Sequence, residues 1–83
     1  MKDVTPLVRA LVDALLLLEF SGPDEIDPDT AVRGLETISF SLSALEVDDQ
    51  RALRAEFMRI ASEADDPRFS SHVASLPDSM GLA

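Results

Sequence analysis

Three sites in this chain place a helix-capping residue directly before a proline, and they constrain its architecture more than any other feature. The three pairs are Thr5-Pro6, Asp27-Pro28 and Asp66-Pro67. A Thr or Asp at the N-cap accepts a backbone N–H that the helix leaves unpaired, and a proline at the first helical position has its φ already set. We expect a fourth start at Asp48, because Asp48 and Asp49 bring negative charge to a first turn. The sequence therefore predicts a series of helices joined by short turns.

The predicted helices cover about residues 6–20, 28–45, 49–64 and 67–76, and residues 77–83 are expected to form a turn or a frayed end. Gly22-Pro23 should close the first helix and Pro77 the last, because both are helix breakers. A chain of 83 residues has room for one domain with a modest core. We therefore expect a single all-α domain, a compact four-helix bundle of three main helices and a short C-terminal helix.

Apolar residues recur every three or four positions in the predicted second and third helices. The two sets are Leu35, Ile38, Leu42 and Leu45, and Leu53, Phe57, Ile60 and Ala64. This spacing places one apolar stripe along each helix. Because the link at residues 46–48 is short, helices 2 and 3 are expected to form an antiparallel hairpin.

Residues 37–44 allow a second interpretation. Their sequence, TISFSLSA, alternates strictly between polar and apolar residues, as a half-buried strand does. Against a strand stand the Asp27-Pro28 helix start, the stripe from Leu35 to Leu45, and the lack of a second segment with which it could pair. We favour the helix, and the strand stays open at this stage.

The predicted first helix is apolar around nearly its whole circumference. Its polar side is defined by Arg9, Asp13 and Glu19, and its expected core stripe consists of Leu7, Leu11, Ala14, Leu15 and Leu18. A second apolar stripe, formed by Val12, Leu16 and Phe20 at i, i+4 and i+8, falls inside the polar arc. Exposed apolar patches usually mark contacts, so we expect this stripe to face a second copy, most simply in a symmetric dimer. The alternative is that the rest of the chain encloses helix 1.

Phe40 is a further interface candidate, because it falls outside the stripe of helix 2 that runs from Leu35 to Leu42. Aromatic residues are enriched at protein interfaces. The alternative is that Phe40 packs beneath the neighbouring acidic loop.

The charge balance narrows the classes of partner. Sixteen acidic residues oppose seven basic ones, giving a formal net charge of −9. This sign disfavours nucleic acids and anionic membranes, whereas it attracts a basic protein. The strongest acidic cluster is a candidate patch for such a partner and consists of Asp24, Glu25, Asp27 and Asp29.

The same loop partly matches the spacing of a calcium-binding loop. Oxygen ligands would come from Glu25, Asp27, Asp29 and Glu36. The match is poor, because Thr30 stands where the sharp turn needs glycine and Asp27-Pro28 starts a helix too early. Helix capping within a solvated loop is the favoured interpretation, and cation binding stays open.

Nothing in the sequence predicts a catalytic, cofactor or metal site. The chain has no cysteine, and His72 is its only histidine. Ser70 and Ser71 are not spaced to act with His72 as nucleophile and base, and a metal site would need further nitrogen or sulfur ligands. The charge-free run at residues 14–18 is far shorter than a membrane helix, so we expect a cytoplasmic protein.

These observations together favour a non-enzymatic protein–protein interaction protein that self-associates through helix 1. The alternative is a small acidic protein of the immunity or antitoxin type, which would neutralise a basic partner enzyme by charge complementarity. Neither hypothesis identifies the partner or the process.

Overall fold

A computed structural model describes residues 2–83 of the chain. It contains α1 (Thr5–Phe20), α2 (Pro28–Ser43), α3 (Val47–Glu63) and α4 (Pro67–Ser79), and no strand within the described residues. The predicted all-α class and four-helix architecture are confirmed. Residues 37–43 belong to α2, so the strand alternative is wrong.

Two of the predicted caps form as expected. Asp27 accepts a hydrogen bond from the backbone N–H of Thr30 at 3.2 Å, and Asp66 accepts one from that of Arg68 at 2.9 Å. In both helices a proline occupies the first turn, where its missing N–H costs no hydrogen bond. The cap and proline pairs therefore fix the starts of α2 and α4.

The other two helix starts differ from the prediction by one or two residues. The α1 helix already includes Thr5, and Asp3 accepts the Thr5 backbone N–H at 2.9 Å in its place. This hydrogen bond and a second one from the Thr5 side chain hold the pKa of Asp3 below its usual value. The α3 helix begins at Val47, which puts Asp48 inside its first turn.

The core forms where α1, α3 and α4 meet. Its most deeply buried large side chains are Val12, Leu15, Phe57, Ile60, Val73 and Leu76. The α2 helix contributes only Ala31 to the buried residues, and its larger apolar side chains are half-buried against the others. The weight of the core thus lies on one side of the molecule.

The hairpin expected for helices 2 and 3 is corrected by the structure. The α3 helix packs mainly on α4, α2 packs mainly on α1, and α2 and α3 share at most a marginal contact. Phe57 of α3 is enclosed because α4 offers large buried side chains, Val73 and Leu76. The short linker makes α2 and α3 neighbours along the chain, but the burial of large apolar side chains determines which helices pack together.

Residues 77–83 were expected to form a turn or a frayed end, and the structure has a turn at residues 80–81 that is not frayed and begins later than expected. Pro77 is buried inside α4, which continues to Ser79, and Leu82 returns to the core. Gly81 has φ 72° and the Leu82 N–H donates to the Pro77 carbonyl at 2.9 Å, which is the hydrogen bonding of a Schellman cap. The proline is tolerated because it lies near the helix end, and the cap that follows uses its carbonyl.

Side chains of α3 hold this returning segment in place. Arg54 donates to the carbonyl of Ala83 at 2.9 Å, to that of Leu82 at 2.8 Å and to the Asp78 carboxylate at 2.7 Å. Gln50 accepts the Ala83 N–H at 3.1 Å. We call this arrangement the Arg54 clasp. It ties residues 78–83 to α3.

Candidate interaction surface

The stripe expected to face a partner on helix 1 is not a free surface. Val12 is only 1% exposed and lies in the core, and Leu16 is half-buried against it. Phe20 remains half-exposed, and its ring stacks on His72 with centroids 4.0 Å apart. The assignment of Val12, Leu16 and Phe20 to one exposed interface is therefore corrected. The stripe is not a free surface because Val12 lies on the inward face of α1, together with Val8 and Leu15.

The outward face of α1 carries different apolar residues. Leu7 is 59% exposed and Leu17 is 58% exposed, with Ala10 and Ala14 exposed between them. Their spacing of three, four and three places all of them on one side of the helix. We call these four residues the outward seam. The outward seam was not predicted from the sequence, because Leu7 and Ala14 were placed in the core. The spacing of its four residues is nevertheless visible in the sequence.

An apolar groove opens beside this seam, between α1 and the ends of α2 and α3. Its volume is about 480 Å³, and it is lined by Leu7, Val8, Ala10, Leu11, Leu42, Leu45 and Leu53. Every lining residue is apolar. The groove exists because α2 and α3 barely touch, so α1 forms an open floor between them.

The groove continues past Leu45 and Leu53 into a second compartment of about 390 Å³. Among the residues that the structure describes, the charged side chains lining this compartment are Asp49 and Glu56. Glu56 accepts a hydrogen bond from Arg59 at 2.6 Å, which raises the pKa of Arg59, whereas Asp49 has no ion pair within residues 2–83. One end of the apolar groove is therefore negatively charged.

The other predicted surface residues lie apart from the groove. Phe40 is 79% exposed on α2, more than any other large apolar residue described, and does not line the groove. The acidic cluster of Asp24, Glu25, Asp27 and Asp29 is exposed throughout. Of these four, Asp27 also caps α2. Phe40 and the cluster stay predictions as partner contacts.

The remaining predictions concern metal ligands, His72 and membrane-spanning helices. Within residues 2–83 no three His, Asp or Glu side chains come together as a metal site would require. His72 stacks on Phe20, and the nearby Ser75 hydroxyl donates to the His72 backbone carbonyl at 2.7 Å. In the same part of the chain, no helix combines the length and apolar character needed to cross a bilayer.

Comparison with known proteins identifies no relative of this chain. No family model, no curated protein and no solved structure matches the chain. The outward seam, the groove and the acidic surface are therefore the features from which a function can be inferred.

Proposed function

We propose that this chain is a non-enzymatic protein–protein interaction protein that self-associates through the outward seam of α1. One observation carries the proposal: four apolar residues spaced three, four and three apart face outward on one helix, two of them leucines more than half exposed. This is the spacing by which two helices pack along a shared seam. A single exposed leucine would be ordinary, but an aligned set is not.

The seam has the form that suits close approach of two helices. Leu7 and Leu17 lie at its ends, and Ala10 and Ala14 lie between them. Small central residues let two backbones approach closely, and the leucines can then pack at either end. A symmetric dimer is the simplest closed assembly of two such faces.

The size and charge of the molecule set the expected strength of this dimer. The 16 residues of α1 extend over roughly 24 Å at 1.5 Å per residue. A standard interface buries about 800 Å² and takes roughly 20–30 residues on each partner, several times the four residues of the seam. Each copy also carries a formal charge of −9. We therefore expect a reversible dimer that added salt strengthens, because salt screens the repulsion between copies.

The test is the solution mass by light scattering across a range of protein and salt concentrations. The natural sequence should shift towards dimer as concentration rises, and Leu17→Glu should remain monomeric. Val32→Glu is the matched control, because Val32 is similarly exposed on α2 and lies outside the seam. Circular dichroism checks that all three proteins are folded. A natural protein that is monomeric throughout, or a Leu17→Glu protein that still dimerises, would contradict the proposal.

A second candidate function rests on the acidic surface. The excess of nine negative charges and the exposed cluster at Asp24, Glu25, Asp27 and Asp29 suit a small protein that neutralises a basic enzyme, as an immunity or antitoxin protein does. Its dependence on salt has the opposite sign, because added salt weakens attraction between unlike charges. Binding to a basic partner that salt leaves unchanged would count against it. Residence in the cytoplasm stays a prediction with both functions.

A further inference from the structure

We infer that the groove between α1, α2 and α3 is a docking site for an amphipathic helix of another protein, with basic residues at the end of that helix nearest Asp49. The inference goes beyond self-association through the outward seam. The first two residues of the seam also line the groove, whereas its walls are Leu42, Leu45 and Leu53, which are not part of the seam. Variants in the walls and at Leu17 test the groove and the dimer separately.

The lining determines the secondary structure of the occupant. Every residue around the main compartment is apolar, so its side chains provide no donors or acceptors for an incoming backbone. An extended peptide would bury unpaired N–H and C=O groups there, which costs free energy. A helix satisfies its own backbone and can place apolar residues at i, i+3 or i+4, and i+7 into such a groove. Two connected compartments of about 480 and 390 Å³ give room for several side chains.

The charges determine the chemistry of the partner. Within residues 2–83, the charged residues that line the groove are Asp49 and Glu56, and both lie in the second compartment. Arg59 already neutralises much of Glu56, which leaves Asp49 as the carboxylate available to a cation. A lysine or arginine at that end of a docked helix would meet this carboxylate, and the overall charge of −9 adds long-range attraction.

The same charges disfavour the other occupants. A second copy of this chain also carries −9, and its exposed apolar seam has no basic residue among Leu7, Ala10, Ala14 and Leu17. An anionic lipid or fatty acid would bring a further negative charge to the carboxylate end. A basic amphipathic helix is the occupant whose shape and charge both agree with the groove.

The experiment uses a synthetic helical peptide of leucine and lysine, with the leucines on one face, added to isotope-labelled protein at a concentration where it is monomeric. Two control peptides are a permutation of the same composition with no apolar face, and a version with glutamate in place of lysine. NMR should show saturable shifts of the methyl groups of Leu42, Leu45 and Leu53 with the amphipathic lysine peptide only. Salt should weaken its binding.

Two variants of the protein localise the binding. Leu45→Ser should lose most of the affinity, whereas the matched variant Leu17→Ser, changed in the seam and outside the groove, should keep it. Asp49→Asn removes the charge of an exposed side chain that has no ion pair within residues 2–83, and should weaken binding and flatten its salt dependence. Circular dichroism confirms that each variant is folded.

Several outcomes would overturn the inference. Equal binding of the permuted peptide, or shifts spread over the acidic loop, would show general charge attraction. Unchanged affinity in both Leu45→Ser and Asp49→Asn would exclude the groove. Groove shifts that appear on concentrating the protein without peptide would make a second copy the occupant. A protein that binds the peptide but never dimerises would refute self-association alone. A protein that dimerises when concentrated but ignores the peptide while monomeric would refute this inference alone.

Discussion

The two sides of this small bundle differ in how completely they bury their apolar side chains. On the side of α3 and α4, large side chains such as Phe57 and Leu76 are fully enclosed, and the Arg54 clasp holds the returning segment in place. On the side of α2, the only buried residue is Ala31, and the groove remains open between α2 and α3. The closed side carries the stability of the fold, and the open side has the surfaces that a partner can cover.

This difference follows from where the large apolar residues lie. Phe57 and Ile60 of α3 meet Val73 and Leu76 of α4, so these helices enclose each other. The corresponding stretch of α2 alternates apolar residues with serines. Its Phe40 is exposed, and the hydroxyl groups of Ser41 and Ser43 donate to backbone carbonyls of the same helix. A helix with fewer large inward side chains gains less from burial, and it leaves its neighbours partly uncovered.

The largest predicted effect comes from truncating the closed side. Phe57→Ala should lower the free energy of unfolding by about 3–5 kcal/mol, because it leaves a cavity in a fully buried site. Leu42→Ala on the half-buried face of α2 is the matched variant and should cost only about 1 kcal/mol. Urea denaturation measures both. Similar losses in the two variants would show that the two sides contribute equally to stability.

The next effect concerns the Arg54 clasp. Arg54→Ala removes hydrogen bonds to two backbone carbonyls and to Asp78, and should cost about 1–2 kcal/mol, because the site is partly open to water. Arg51→Ala is the control, since its pair with Asp48 is exposed and 3.7 Å long. Hydrogen exchange should become faster at Leu82 and Ala83 in the Arg54 variant alone. Unchanged exchange there would contradict the role of the clasp.

A smaller effect tests how much freedom the open side has. A Cβ atom at Gly34 would lie 3.1 Å from a methyl group of Leu18, a close approach of α2 to α1. Leu18 is half-buried and lines a cavity beside α2, so its side chain has room to move. Gly34→Ala should therefore raise stability by about 0.5–1 kcal/mol through helix propensity. A lower melting temperature for Gly34→Ala than for the natural protein would show that Leu18 cannot move aside to admit the added methyl group.

The smallest effect is a pH dependence at the start of α1. Hydrogen bonds from Thr5 lower the pKa of Asp3, so its ionised form favours the folded state. This contribution is fully present above the pKa of Asp3 in the unfolded chain, about 3.9, and is lost as the pH falls through the lower folded value. After correction for the intrinsic effect of pH on amide exchange, exchange of the Thr5 amide should change between pH 5 and pH 2 in the natural protein. The Asp3→Asn variant should not show this change. A persisting change would assign it to another group.

The sequence predicted the helices better than their arrangement. The Asp27-Pro28 and Asp66-Pro67 pairs located two helix starts, because a cap and a proline act within a few residues. The extension through Pro77 was not predictable in this way, since it depends on Leu82 returning to the core and on Arg54 far away in the sequence. Local signals fix local structure, and the contacts that override them are long-range.

The face of α1 was the main error at the surface. With apolar residues on nearly every side, periodicity could not say which stripe was inward. Arg9 and Asp13 do mark the exposed side. Glu19 is also exposed, but it lies at the helix end and at nearly the same angle around the axis as Val12, so it extended the expected polar arc over a buried residue. Only the positions of α3 and α4 decide that Val12 is inside and Leu17 outside. The expectation of an unpartnered stripe on α1 stays, but its residues are different.

The stack of Phe20 on His72 provides a spectroscopic reporter. The chain has no tryptophan or tyrosine and a single histidine, so the imidazole proton resonances of His72 should be easy to recognise in a one-dimensional proton spectrum. A ring 4.0 Å away shifts those resonances through its ring current for as long as the end of α1 stays docked on α4. The same histidine signals therefore report whether the bundle remains intact while the outward seam and the groove are filled, mutated or left open.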